Sequence, residues 1–184
     1  MYRLLIVDDE PAILRTLQRS LKRLDSTEPS WQPLAVETFD DPQAALQRAA
    51  QTRFDLVLAD YRMPGLDGLE FLGRCMDLQP DAARLLLSGF ADLDALSGAL
   101  NRVQIFRFIN KPWHPFELHN AVIQALRHRA LLLENQRLTD LVQVQRSRLC
   151  AQERELRRLE QEHPGITRVN WGPDGAILLD DAAL

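Results

Sequence analysis

Lysine is nearly missing from this chain. Of 22 basic residues only Lys22 and Lys111 are lysines, so chemistry that needs an ammonium falls on one of two positions. Cysteine is as scarce. Cys75 and Cys150 stand too far apart to suggest a metal or redox motif and read as ordinary reduced thiols. No apolar run approaches the roughly 20 residues of a membrane span. The stretch 1–7 is too short for a signal peptide and leads straight into acids, so a soluble, cytoplasmic chain is expected. A net charge of −4 gives no general reason to expect nucleic acid as a partner. No G-x-x-x-x-G-K-[ST] occurs, which removes the P-loop nucleotide hydrolases. What is present is a 46% hydrophobic chain of 184 residues, enough for one ordinary domain with a sizeable core plus an extension.

Apolar runs alternate with helical patterns. Residues 3–7 read as a buried strand ending at Asp8-Asp9-Glu10-Pro11, with Pro11 suited to a first helical turn. Ile13, Leu14, Leu17, Leu21 and Leu24 mark the apolar face of that helix. Residues 25–33 read as a loop and 34–39, which alternate, as an edge strand. Asp41-Pro42 opens a short helix to about Gln51, and a third strand covers 54–59. Asp67-Gly68-Leu69-Glu70 looks like a capping box starting a helix that ends near Gln79-Pro80. A fourth strand covers 83–87, a helix 92–101 and a fifth strand 104–109. Five strands alternating with helices predict an α/β domain with a parallel sheet.

Four strand ends carry the interesting polar groups: Asp8 and Asp9, then Asp60, Ser88 and Lys111. In a parallel sheet these ends lie along one edge, where such folds place ligands. Three crowded carboxylates repel and raise at least one pKa. Mg²⁺, which favours one or two carboxylates plus waters and phosphate oxygens, resolves the crowding. A hydroxyl and an ammonium facing the acids suit a transferring phosphoryl group, with Asp60 as nucleophile. Taken singly, the acids read as a helix N-terminal cluster, Ser88-Gly89 as a turn and Lys111 as a surface lysine. A haloacid-dehalogenase-type phosphatase needs a second acid two positions after its aspartate. Here that position is Arg62, which cannot act as an acid at neutral pH.

The chain up to about Arg127 resembles the receiver domain of two-component response regulators. The resemblance rests on Val7-Asp8-Asp9-Glu10, on the run from Asp60-Tyr61-Arg62-Met63-Pro64 to Gly68, on Ser88-Gly89 and on Phe108-Ile109-Asn110-Lys111-Pro112. It implies a flavodoxin-like doubly wound sheet in the order 2-1-3-4-5. It implies that Asp60 accepts phosphoryl from a histidine kinase or phosphotransfer protein. Asp9, Asp60 and the backbone carbonyl of Arg62 would ligate Mg²⁺, with Asp8 acting mainly through a water. Lys111 would bridge to the acyl phosphate, Ser88 would bond a phosphoryl oxygen, and Phe108 would be the switch aromatic. The Lys111-Pro112 bond would be cis. The side chain of Arg62 is expected to influence access of hydrolytic water to the phosphoform.

From Pro115 the pattern stays helical for about 45 residues, until His163-Pro164-Gly165. Leu131, Leu138, Gln145, Gln152 and Leu159 fall at one heptad core position, and Asn135, Val142, Leu149 and Leu156 at the other. This predicts a coiled coil over 128–163 and a homodimer through it. In a parallel pair Arg148 would face Glu153 of the other copy, and Glu155 would face Glu160 repulsively. Beyond it, Gly172-Pro173-Asp174-Gly175 between two apolar runs reads as a β-hairpin tail over 164–184, with Trp171, Val169, Ile177 and Leu179 to bury. Helix-turn-helix has no room here. The run 106–113 followed by a coiled coil resembles receivers fused to HD-GYP cyclic-dinucleotide phosphodiesterases, yet no catalytic domain lies within these 184 residues. The sequence therefore reads as a non-enzymatic regulator with a 1–127 receiver, working through an unidentified protein target. A phosphorelay intermediate or phosphate sink is the alternative.

Overall fold

The structure, a computed structural model, describes residues 1–27, 32–89 and 103–165. Five parallel strands form one sheet: β1 (Tyr2–Val7), β2 (Leu34–Phe39), β3 (Leu56–Asp60), β4 (Ala83–Gly89) and β5 (Arg107–Lys111). Their order is β2-β1-β3-β4-β5, the flavodoxin-like order expected. The helices are α1 (Pro11–Thr27), α2 (Pro42–Gln51), α3 (Gly68–Leu78) and α4 (Pro115–Glu162). The helix expected over 92–101 and the hairpin of the tail lie outside the described residues.

The inner strands read as unbroken apolar runs because both faces are covered. Leu4, Ile6, Leu56, Leu58, Leu85, Leu87 and Ile109 face α1 and the first turns of α4. Leu5, Val7, Val57, Ala59 and Leu86 face α2 and α3 through Ala45, Ala49, Phe71 and Leu72. The register pairs Ile6 with Leu58, Leu58 with Leu85, and Leu87 with Ile109. The strands therefore end together, so their last residues share one edge.

Local chemistry explains the starts of α2 and α3. Asp41 Oδ1 and Oδ2 accept from Gln43 N at 2.9 Å and Ala44 N at 3.2 Å, with Pro42 in the first turn. Asp67 Oδ1 accepts from Glu70 N at 2.8 Å. The capping box is only half made, because the Glu70 carboxylate turns to Arg74 at 2.6 Å instead. The fifth strand starts later than its apolar run suggests. Gln104 adopts a left-handed φ of 50°, which an extended strand cannot contain, and pairing begins at Arg107.

Two groups pin the edge of the sheet opposite the strand ends. Gln79 Nε2 donates to Ala49 O at 2.5 Å and Thr52 O at 2.7 Å, and its Oε1 accepts from Phe54 N at 2.7 Å. Arg129, on α4, pairs with Asp55 at 2.9 Å and donates to Asp81 O at 2.9 Å. The chain divides into two units, Met1–Leu133 and Glu134–Leu184. In the first, Leu118, Ala121, Val122, Ala125 and Leu126 of α4 are buried. In the second, every α4 side chain from 134 to 158 is exposed. No helix of the described residues is long and apolar enough to cross a membrane.

Candidate functional site

The common strand edge brings the expected polar groups into one pocket. Asp8 leaves β1 fully buried, and Asp60 ends β3 at 6% exposure. With the half-buried Asp9 they offer carboxylate oxygens lying within 4.8 Å of one another. Lys111, the last residue of β5, reaches across the sheet edge and divides its ammonium between two of these acids. Nζ stands 2.9 Å from Asp8 Oδ2 and 2.7 Å from Asp60 Oδ1. Asp8 is held further by Glu10 N–H, which donates to its Oδ1 at 2.9 Å.

One ammonium does not neutralise three carboxylates. Burial pushes the Asp60 carboxyl above its ordinary range; the bond from Lys111 pulls it back and the charge of Asp8 raises it again. Burial also works against the Lys111 charge, but its bonds to Asp60 and Asp8 prevail and hold the ammonium above its ordinary value. Burial leads in raising Asp60, and the charge of Asp8 adds to it, while Lys111 is held charged by bonds to both acids.

Ser88 ends β4 fully buried. Its Oγ has no hydrogen-bond partner. Its register partner Asn110, next to Lys111, likewise carries a buried Oδ1 without a partner. Buried polar atoms without a partner thus lie on the same sheet edge as three clustered carboxylates, a lining whose chemistry suits a cation and an oxygen-rich ligand. Phe108 is half-buried and packs against the α2–α3 side of the core. The Lys111–Pro112 peptide is cis, as the resemblance implied. A cavity of about 630 Å³ opens beside Lys111, walled by Ile13, Thr16 and Ser20 of α1 and by Trp113.

The loop after Asp60 is fixed from below. Met63 and Leu66 are buried in the core, while Arg62 between them and the acid has an exposed side chain. Gly65 turns the loop at a φ of 79°, where a side chain would be strained. Gly68 N–H then donates to Tyr61 O at 2.9 Å. A Cβ on Gly68 would lie 2.1 Å from the Asp60 carbonyl oxygen. The N-terminus of α3 thus sits against the backbone of the acid, an approach only glycine permits. Neither Gly68 nor Asn110 stands out as a site residue by spacing, since both roles depend on contacts made by folding.

The likenesses to known proteins fall on this same stretch. Residues 4–123 match the response regulator receiver domain. The chain is 33% identical over 134 residues to the hydrogenase transcriptional regulatory protein HoxA of Cupriavidus necator, covering 73% of this chain and 26% of that protein. It is 33% identical over 153 residues to the cyclic di-GMP phosphodiesterase response regulator RpfG of Xanthomonas campestris pv. campestris, covering 77% of this chain and 39% of that one. The signal receiver domain of an HD domain-containing protein from Pseudomonas fluorescens Pf-5 matches with a TM-score of 0.61 at 33% identity, over 70% of this chain and 97% of that chain. The chain spans about a quarter of the length of the hydrogenase regulators it matches. Sequence and backbone likeness both cover the stretch that carries the acidic pocket, and by both the chain belongs to the response regulator receiver domain family.

Proposed function

We propose that this protein is a two-component response regulator whose Asp60 accepts a phosphoryl group from the phosphohistidine of a histidine kinase or phosphotransfer protein. An Asp60 carboxylate oxygen attacks phosphorus, an oxygen–phosphorus bond forms, and the nitrogen–phosphorus bond to histidine breaks, returning imidazole to the donor. The observation that carries this reading is the Lys111 ammonium poised between Asp8 and Asp60 at 2.9 and 2.7 Å, with a buried Ser88 hydroxyl without a partner on the adjacent strand β4. Lys111 keeps its charge there and is free to shift from the carboxylate to the acyl phosphate. Ser88 gives the new phosphoryl oxygens a donor, and Phe108 follows it as the switch aromatic. The cavity walled by α1 and Trp113 gives a phosphohistidine-bearing protein a surface next to Lys111.

The carboxylates of Asp8, Asp9 and Asp60 fit Mg²⁺; Asp9, Asp60 and the Arg62 carbonyl would hold the ion, and Asp8 would act through a water. Bound there, the ion neutralises the charge that crowds the transferring phosphoryl oxygens. The site residues act only in phosphoryl acceptance and self-dephosphorylation.

The output is a protein interaction made by the helix beyond the receiver, with 128–163 as a homodimeric coiled coil and 164–184 as its tail. The exposed apolar side chains of α4 support this. Incubation with Mg²⁺ and acetyl phosphate, read by intact-protein mass spectrometry, tests the input. One phosphoryl group is expected on the wild type and none on Asp60→Ala; an equal gain on both overturns the assignment. In the same assay, Arg62→Ala changes the rate at which the phosphoform decays; an unchanged rate removes Arg62 from the site. Deleting 130–184 separates a partner-binding regulator, which loses its pathway role, from a phosphate sink, which keeps it.

A further inference from the structure

The solvent-exposed length of α4 carries a regular apolar stripe. Leu131, Leu138, Val142, Leu149 and Leu156 are 50–65% exposed. With Asn135, Gln145, Gln152 and Leu159 they recur at alternating steps of four and three, the period of a two-stranded coiled coil. Resting on the reading of α4 as a dimerising output helix, we propose that its partner is a second copy of this chain, packed parallel and in register.

The amides in the seam decide the orientation. In a parallel, in-register pair, Asn135, Gln145 and Gln152 each meet their own copy. An amide carries both donors and an acceptor, so each such layer satisfies itself. In an antiparallel pair the layer of Gln145 and Gln152 meets the layer of Asn135, Val142, Leu149 and Leu156. Asn135 is the one amide in that facing layer, so in any antiparallel register at most one of Gln145 and Gln152 meets an amide. Leaving a buried amide unpaired costs more than a surface ion pair returns.

Charge agrees with this register. Arg148 of one helix faces Glu153 of the other, and neither residue makes an ion pair within the chain among the described residues. The register also sets Glu155 opposite Glu160, but each already has a partner in its own chain. Glu155 Oε1 accepts from Arg158 Nη2 at 2.7 Å, and Glu160 Oε1 accepts from Gly165 N at 2.9 Å. The antiparallel alternative that sets Leu149 beside Gln152 gains Arg146–Glu153 and Arg148–Glu155 pairs. It also leaves Leu131, Asn135 and Leu138 without a facing layer, because α4 ends at Glu162.

Cysteine pairing in the full chain tests the arrangement. Cys150 is exposed and Cys75 buried, so the background is Cys150→Ser. Leu138→Cys and Leu156→Cys, each alone, are expected to form covalent dimers under copper-phenanthroline oxidation. If Leu156→Cys stays uncoupled to itself yet couples to Gln145→Cys in a mixture, the helices run antiparallel and the inference is overturned, while the homodimer reading stands. If sedimentation shows a monomer both with and without acetyl phosphate and Mg²⁺, the homodimer reading falls with it. A charge swap gives an independent check. Arg148→Glu weakens association roughly tenfold across two symmetric pairs, and adding Glu153→Arg to the same chain restores it. Absence of that rescue overturns the register.

Discussion

Gln79 follows α3 with all of its amide engaged, donating to Ala49 O and Thr52 O and accepting from Phe54 N. Gln145 and Gln152 lie on α4 with their side chains exposed. In the first unit a polar group is held by backbone from two other segments, and its value lies in the folded chain alone. In the second unit the same residue type stands exposed on the helix, and in the proposed dimer its value would come from a second copy. The receiver is specified internally. The exposed helix beyond it carries no such internal specification among the described residues.

The strongest way to break that contrast is at Gly68, where receiver packing leaves no room at all. With a Cβ placed 2.1 Å from the Asp60 carbonyl oxygen, Gly68→Val forces the start of α3 away from the acid. Stability should fall by about 3 kcal/mol or more, a drop of about 10 °C in melting midpoint. Near-ultraviolet circular dichroism reads the transition. An unchanged midpoint would mean that α3 withdraws freely and does not position the pocket.

The glutamines themselves come next. Gln79→Leu leaves Phe54 N–H and two carbonyls without their partner and should cost about 2–3 kcal/mol in denaturant unfolding. Gln145→Leu should change receiver stability by less than about 0.5 kcal/mol and strengthen self-association measured by sedimentation. Equal losses from both would erase the distinction between the units.

How much of this was legible beforehand follows the same division. The strands could be read because burial on both faces makes them continuous apolar runs, and the acids, Ser88 and Lys111 because each sits at a strand end. Asp41 and Asp67 announce their helices by short-range bonding. Arg84 could not be read. It is 4% exposed and bonded to carbonyls of Val103 at 2.9 Å, Ala82 at 2.8 Å and Pro80 at 3.1 Å. Burial lowers its pKa. Nothing in the local run Ala83-Arg84-Leu85 says that its arginine turns inward, since its acceptors include Val103 O, brought near from 19 residues away by folding. Gly68, Gln79 and the turn at Gln104 escaped for the same reason: their roles are contacts between segments.

The pocket offers a smaller effect of opposite sign. Asp60 is a buried carboxylate whose pKa is raised by burial and by Asp8 despite Lys111, so its charge opposes folding when no cation is present. Without divalent ions Asp60→Asn should melt higher than the wild type, by about 1 kcal/mol of stability. Adding Mg²⁺ should close or reverse the gap, because the ion stabilises the chain that binds it better. Calorimetry in EDTA and in Mg²⁺ reads both halves. A lower melt for Asp60→Asn in EDTA would mean that the bond to Lys111 outweighs the crowding.

The smallest effect compares one ion pair from each unit. Glu37 on β2 is bonded to Arg48 at 2.7 Å and to Arg3 at 2.8 Å. The bond to Arg48 leads in lowering its pKa below 4.5, against burial, with Arg3 adding to it. A depressed carboxylate pKa means that the unfolded chain takes up the proton first as pH falls. The stabilisation is therefore complete above about pH 4.5, the unfolded value, and is lost as pH falls through the lower folded value. Glu37→Gln should cost less than about 1 kcal/mol at neutral pH, and the difference from wild type should vanish in acid. Glu155 is paired with Arg158 at 2.7 Å with side chains 53% and 61% exposed, and Glu155→Gln should cost less than Glu37→Gln at neutral pH. Urea unfolding at a series of pH values distinguishes them. Matching curves for the two variants would show that a pair tied across β1, β2 and α2 gains nothing over one on an open helix.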